Sequence, residues 1–215
     1  YYGAKNKVSG RKENRTNKNP NLKKQYNIAK GLLNQYKTGN KEIVNYFDLE
    51  KIAKYYAIID LTKAYHAIRW HNQRFYYNPI ISKLEPIGFD GYGKNGVDKW
   101  LKKPFVAKGI NKPNNPMGEY DLINALFSDK AFMTSYISHL NKFTSTSYLD
   151  SFYNKNKATI NILEGFIKKE YSNYNYDYNF LYNNAAQLRK YLFPIKNNIV
   201  KAFTQQETNK KHLIV

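Results

Sequence analysis

Apolar residues recur with a helical period along most of this chain, and the period breaks once, in a short aromatic run followed by a cluster of glycines. Leu22, Tyr26, Ala29, Leu32, Leu33 and Tyr36 stand three and four apart, as do Leu49, Ile52, Tyr55, Tyr56 and Ile59. That spacing gives each helix one apolar stripe and requires the stripes to bury against each other. Gly39 is placed to end the first helix and Asp48 to cap the second. Further helices are predicted over 121–127, from Asp129 through Leu140 and over 147–171, and a last helix or helix pair over 177–203, which Pro194 bends or splits. The Asn- and Tyr-rich stretch 171–178 reads as a solvated connector. The proline-bearing stretch 94–118 reads as irregular.

The break in period falls at Arg74-Phe75-Tyr76-Tyr77, followed by Asn78-Pro79 and then Lys83-Leu84-Glu85-Pro86-Ile87-Gly88-Phe89. Two strands joined by a loop over 78–82 are predicted, and Pro86 makes the second a short or edge strand. The hairpin delivers Phe89-Asp90-Gly91. Gly88, Gly91, Gly93 and Gly96 permit unusual backbone angles there, and Gly91 is expected to supply the sharp turn beside the carboxylate. The fold class is therefore α+β, mainly α-helical, with one small β-hairpin. The folded part is expected over 22–203. It is preceded by a basic flexible arm or linker, 1–21, that cannot bury a face, and followed by a polar tail, 204–215.

Composition narrows the function classes. The 215 residues contain no cysteine, which excludes a disulfide scaffold, a thiolate zinc site and a cysteine nucleophile. No apolar run approaches the ~20 residues of a membrane span, so no transmembrane segment is expected. The net charge of +19 first suggests nucleic acid. The charge is spread along the arm and the helices rather than gathered on a recognition element, and no nucleic-acid partner is expected.

The residues with chemical potential surround the hairpin. Asn72 precedes it and Asp90 ends it, with room between them for two strands. An amide oxygen and a carboxylate are the hard oxygen ligands that Mg²⁺ or Mn²⁺ requires beside phosphate. Taken singly, an Asp-Gly pair is commonly a turn and an Asn commonly a cap. His66, just upstream, is a residue type that accepts a proton at neutral pH, or else a packed or surface histidine. Arg69 and Arg74 flank the loop, set either to meet phosphate or to stand as exposed charges. His71 and Trp70 are expected to hold the loop against the helices. His139 and His212 belong to no pattern.

The block His71-Asn72-Gln73-Arg74-Phe75-Tyr76-Tyr77-Asn78-Pro79, continued by Glu85-Pro86-Ile87-Gly88-Phe89-Asp90, resembles the spore coat protein H (CotH) kinase family. Upstream, Tyr46-Phe47-Asp48-Leu49 through Ala57 looks like that family's helix before the catalytic loop, and the likeness extends over residues 22–203. The resemblance implies an atypical protein-kinase-like fold that transfers phosphate from ATP, with Mg or Mn, to Ser residues of a protein substrate. It implies Asp90 and Asn72 as metal ligands. The family's catalytic Asp lies shortly before the His-Asn, where this chain has Ala64-Tyr65-His66-Ala67-Ile68-Arg69-Trp70 and no carboxylate. His66 stands nearest that position as a replacement base. The likeness is to a C-terminal lobe, because only the basic arm precedes the first helix where an ATP-binding lobe is expected. A basic lobe suits acidic or already phosphorylated protein substrates. The family's location implies a spore coat, a cell surface or another extracytoplasmic site. The alternative is a non-catalytic coat or surface protein that retains the fold.

Overall fold

Helix starts in this protein are written by side chains that accept the free backbone amides of the first turn. In the computed structural model, which describes residues 8–37, 43–91, 104–108, 123, 125–193, 203–207 and 210–214, three such caps open the main helices. Asp48 Oδ1 accepts from Lys51 N at 3.1 Å and opens α3 (Leu49–Thr62). Asp129 Oδ1 accepts from Phe132 N at 2.8 Å and opens α5 (Lys130–Phe143). Ser145 Oγ accepts from Tyr148 N at 3.3 Å and opens α6 (Thr146–Glu170). The chain also contains α1 (Glu13–Lys18), α2 (Pro20–Lys37), the short α4 (Phe105–Lys108) and α7 (Asn179–Leu192). Strands β1 (Arg74–Asn78) and β2 (Lys83–Ile87) pair antiparallel, as do β3 (Phe203–Glu207) and β4 (Lys210–Ile214). The molecule is thus mainly helical with small antiparallel sheets.

The core is the set of stripes legible in the sequence, closed on one another. Ile52, Ala53, Tyr56, Ala57 and Ile59 of α3 are buried, as are Phe132, Tyr136, Leu140 and Phe143 of α5 and Ala185 and Leu188 of α7. Aromatic rings fill the space between α3 and α5. Tyr56 meets Phe105, Phe127 and Phe132 edge-on at centroid distances of 5.4–5.9 Å, the packing that ring quadrupoles favour. Asn184, itself buried on α7, donates to Leu61 O at 3.1 Å and satisfies a carbonyl at the C-terminal end of α3. On the other side, Tyr36 of α2 packs edge-on against Phe47 at 4.8 Å, and Phe47 meets Phe75 of the hairpin at 5.4 Å. Residues 46–48 run beside β2: Leu84 N donates to Tyr46 O at 2.8 Å and Asp48 N to Leu84 O at 2.9 Å. The hairpin is therefore tied to the start of α3, and Lys51 Nζ, 2.7 Å from Glu85 Oε1, adds a second tie.

Several expectations are corrected. Within the arm 1–21 the described residues include α1, none of whose residues is buried, and α2 begins at Pro20, not Leu22. Asn19 Oδ1 accepts from Asn21 N and Leu22 N at 3.0 and 3.1 Å, and Pro20 fits the first helical position, where no amide is needed. Of the helix or helix pair expected over 177–203, the first part is α7, which ends at Leu192 before Pro194; residues 194–202 lie outside the described residues, and Phe203 opens β3. The tail 204–215 is not a plain tail; β3 and β4 form a hairpin in which Glu207 pairs with Lys210 and Phe203 with Ile214. The tyrosine connector is a loop, as read, but Tyr176 and Tyr178 are not simply solvated: their rings lie 6.3 and 5.4 Å from that of Tyr153. Gly39, Gly93, Gly96 and residues 109–122 lie outside the described residues.

The stripes make the stability test direct. Phe132→Ala or Leu140→Ala, each at a fully buried position, is expected to lower unfolding free energy by about 2–5 kcal/mol. Ile80→Ala at the hairpin tip, where Ile80 is 90% exposed, is expected to change it by less than about 0.5 kcal/mol. Urea denaturation followed by circular dichroism measures both.

Candidate functional site

The site is assembled at the C-terminal end of α3. Lys63 ends that helix with a left-handed backbone (φ 53°), and its amide returns to Asp60 O. The chain then makes two successive 3-10 turns, Tyr65–Ile68 and Trp70–Asn72. Arg69 links them: its N donates to His66 O at 3.2 Å, and its carbonyl accepts from Asn72 N and Gln73 N at 2.8 and 3.0 Å. Gln73 Nε2 closes the loop on Ile68 O at 2.9 Å. These bonds set the direction in which β1 leaves.

Asn72, His66 and Asp90 meet at the base of the hairpin. Asn72 is buried, and its Nδ2 donates to His66 O at 3.0 Å while lying 3.0 Å from His66 Nδ1. Asp90 Oδ2, arriving from the end of β2, lies 3.0 Å from the same Nδ1. One ring nitrogen thus faces a donor and an acceptor together. With a proton on Nδ1, the imidazole donates to Asp90; without it, Nδ1 accepts from Asn72. The residues singled out as metal ligands and base are therefore brought together by the fold. Because Asn72 turns its nitrogen to His66, the oxygen that a metal would need is on the opposite side of the amide.

Asp90 itself carries the sharp backbone at this point. Its φ is 49°, in the left-handed region that Asp tolerates better than most residues. Gly91, expected to supply that freedom, does not take a left-handed angle, and a Cβ there would meet Ala64 Cβ at an ordinary 3.7 Å. His71, expected to brace the loop against the helices, is exposed; its ring lies edge-on to His66 at 5.9 Å. Its carbonyl accepts from Arg74 Nη1 at 2.6 Å. The Arg74 guanidinium also covers the Phe89 ring at 4.5 Å, so this cation ties β1 to the segment before Asp90. Arg69 is half-buried between the two turns. Trp70 contributes backbone to the second turn, and its side chain lies outside the described residues.

Asp60 is the site-supporting residue that the sequence reading passed over. It is 1% exposed and accepts from the Tyr65 hydroxyl at 2.9 Å, from the Tyr136 hydroxyl, and from Phe105 N with both oxygens, at 3.1 and 3.0 Å. Tyr65 immediately precedes His66, so Asp60 fixes the start of the turn that carries the histidine. Its signal was present: Asp60 follows Tyr56 by four residues on the buried face of α3, where a carboxylate needs several donors. Burial pushes the Asp60 carboxyl up to about 6, against the opposing pull of the Tyr136, Phe105 and Tyr65 hydrogen bonds.

Among the described residues, no three His, Asp or Glu side chains converge as a metal site. An ion here would rest on Asp90, the Asn72 oxygen and oxygens from substrate or water, which is the sparse protein coordination usual for Mg²⁺. No family model matches the chain, and no curated protein or solved structure matches it.

The raised Asp60 carboxyl predicts a pH dependence with a definite sign. The folded chain keeps this proton to about pH 6, whereas the unfolded chain releases it near 4. Stability due to this group is therefore greatest below about pH 4, falls as pH rises to about 6, and is flat above, a loss on the order of 3 kcal/mol. Asp60→Asn is expected to remove that slope. Urea unfolding of both proteins from acid to neutral pH checks it, and parallel slopes would refute the assignment.

Proposed function

We propose that this chain carries the catalytic loop of a CotH-type protein kinase, transferring the γ-phosphoryl group of ATP to a Ser hydroxyl of a protein substrate. The supporting observation is the meeting of Asn72, His66 and Asp90 at the base of the hairpin. It joins residues from the two ends of a β-hairpin, as the resemblance implies. A kinase-like C-terminal lobe and an extracytoplasmic or spore-coat location are parts of the same proposal.

The residues divide the chemistry as follows. Asp90 and the Asn72 oxygen would hold Mg²⁺ or Mn²⁺, whose charge would offset that of the phosphate being passed from ATP to the Ser hydroxyl. His66 accepts the serine proton. With Nδ1 held by Asp90, the ring is oriented and Nε2 is the atom that takes it, the logic by which a carboxylate positions a histidine base. Arg74 keeps Phe89, and so the approach to Asp90, in place. A non-catalytic coat or surface protein is the second reading. It is favoured by the absence of a carboxylate between Ala64 and Trp70 and by the pairing of Asp90 Oδ2 with His66 Nδ1 at 3.0 Å.

Transfer of labelled phosphate from ATP to a Ser-rich acidic protein, with Mn²⁺ or Mg²⁺ and the full-length natural protein, tests the proposal. Asp90→Ala and Asn72→Ala are each expected to lower the rate by about 100-fold or more, and His66→Ala by a comparable 10²–10⁴-fold. Undiminished transfer by Asp90→Ala would overturn the metal assignment. Tight Mn²⁺-ATP binding without turnover by the unaltered protein would establish the second reading.

A further inference from the structure

The fold gathers the cations of the arm instead of spreading them. The Tyr26 hydroxyl donates to Val8 O at 3.3 Å, and a Cβ added at Gly10 would stand 3.1 Å from the Tyr26 ring, so the chain before α1 lies against the flank of α2. Lys12, with a left-handed backbone (φ 55°), turns the chain into α1, which packs on α2. Arg11, Lys12, Arg15 and Lys18 are thereby brought to the end of α2 that carries Lys23 and Lys24, and all six side chains are exposed. Only Glu13 opposes them, and from Asn14 through Lys41 the sequence holds no Asp or Glu. Among the described residues, none of the six pairs with a carboxylate. The outer face of α2 prolongs the patch. At 100° per residue, Lys23, Asn27, Lys30 and Asn34 fall within about 60° of one another, with the two lysines about 10 Å apart along the axis. Leu22 and Ile28, 40% and 41% exposed, lie on either side of that stripe.

We propose that this face binds the phosphate backbone of double-stranded nucleic acid. The ground for expecting no such partner is charge spread along the chain. Here six cations against one carboxylate leave five net positive charges within residues 11–24 alone. Unpaired cations held close together bind a polyanion by displacing its condensed counterions. Asn27 and Asn34, on the same stripe, carry amides of the kind that also donate to phosphate oxygens. The stripe has no apolar side chain, which a bilayer contact needs for insertion. It has no aromatic ring on which an unpaired base would stack. A duplex presents its charge on the outside of a rod at regular spacing, and a straight row of lysines and amides on one helix matches that surface. The contact is to backbone, so it reads no base sequence. The proposal does not rest on the kinase reading: Tyr36, which meets Phe47 beside the hairpin, is at the opposite end of α2 from the patch.

Fluorescence anisotropy of labelled duplexes of about 20 base pairs, titrated with the whole chain between about 50 and 200 mM salt, tests the proposal. Duplex DNA and duplex RNA are the two arms; binding to either supports the phosphate reading and identifies the source. The logarithm of affinity is expected to fall with the logarithm of salt with a slope of about −4 to −5, as for five contacted phosphates. Lys23→Gln with Lys24→Gln is expected to bring that slope about two closer to zero and to weaken binding about tenfold or more. Glutamine keeps the helix propensity, so the thermal unfolding midpoint should not move. Arg11→Gln with Arg15→Gln, outside α2, is the second variant and is expected to behave alike. Lys155→Gln with Lys157→Gln, both exposed on α6, makes the same change in net charge and is expected to leave slope and affinity unaltered. An equal loss from the α6 pair would trace the binding to overall charge and overturn the assignment of the face. A slope near zero, or no binding to either duplex, overturns it as well. Displacement of the duplex by poly-glutamate at equal charge concentration would assign the face to an acidic protein instead.

Discussion

A single buried carboxylate organises this molecule. Asp60 lies on the core face of α3, where an unpaired charge would be prohibitive, and it is tolerated because three donors reach it from three directions. Those donors belong to the turn that begins at Tyr65, to α4 through Phe105, and to α5 through Tyr136. Satisfying one side chain therefore fixes three segments relative to the helix they surround. The cost is a carboxyl pushed above its ordinary range. A local electrostatic penalty is accepted and offset by a constraint on geometry.

That constraint is what makes the hairpin base a site. Tyr65 is held from behind by Asp60, and the next residue, His66, is consequently presented with its ring toward the end of β2. Asn72 completes the loop from within the same turn pair. Asp90 comes from the far side of the sheet, and its position depends on Arg74 lying over Phe89, on residues 46–48 pairing beside Leu84, and on its own left-handed backbone. Core packing, a buried hydrogen-bond cluster and sheet register all converge on the three side chains with the strongest chemical character.

Much of this was legible from residue order. The helical stripes of α2, α3, α5 and α6 have the period that their burial demands. Asp48 and Asp129 were readable as caps because a short carboxylate before an apolar run has a specific use. The hairpin was readable because β-branched and aromatic residues bracket an Asn-Pro turn. The polar tail 204–215 was read without its hairpin. The polar stretches 203–207 and 210–214 have no apolar alternation strong enough to announce a hairpin. The start of α2 was placed two residues late: Asn19 and Pro20 are a good helix start, but the apolar stripe begins only at Leu22. Gly91 was credited with a turn that Asp90 makes, because propensity names the residue best able to adopt an angle, not the one on which the packed chain imposes it.

By itself, the sequence determined the periods, the caps, the break at Arg74 and the residue types available for chemistry, because these depend on near neighbours and on the geometry of one helix or one turn. Only the tertiary structure decided that Asn72 and Asp90 share one imidazole nitrogen, that Asp60 is the anchor beneath them, and that the chain before α1 folds back on Tyr26 of α2. Each depends on which surfaces meet across long separations in the chain, and that is settled by the simultaneous burial of many stripes rather than by any one of them.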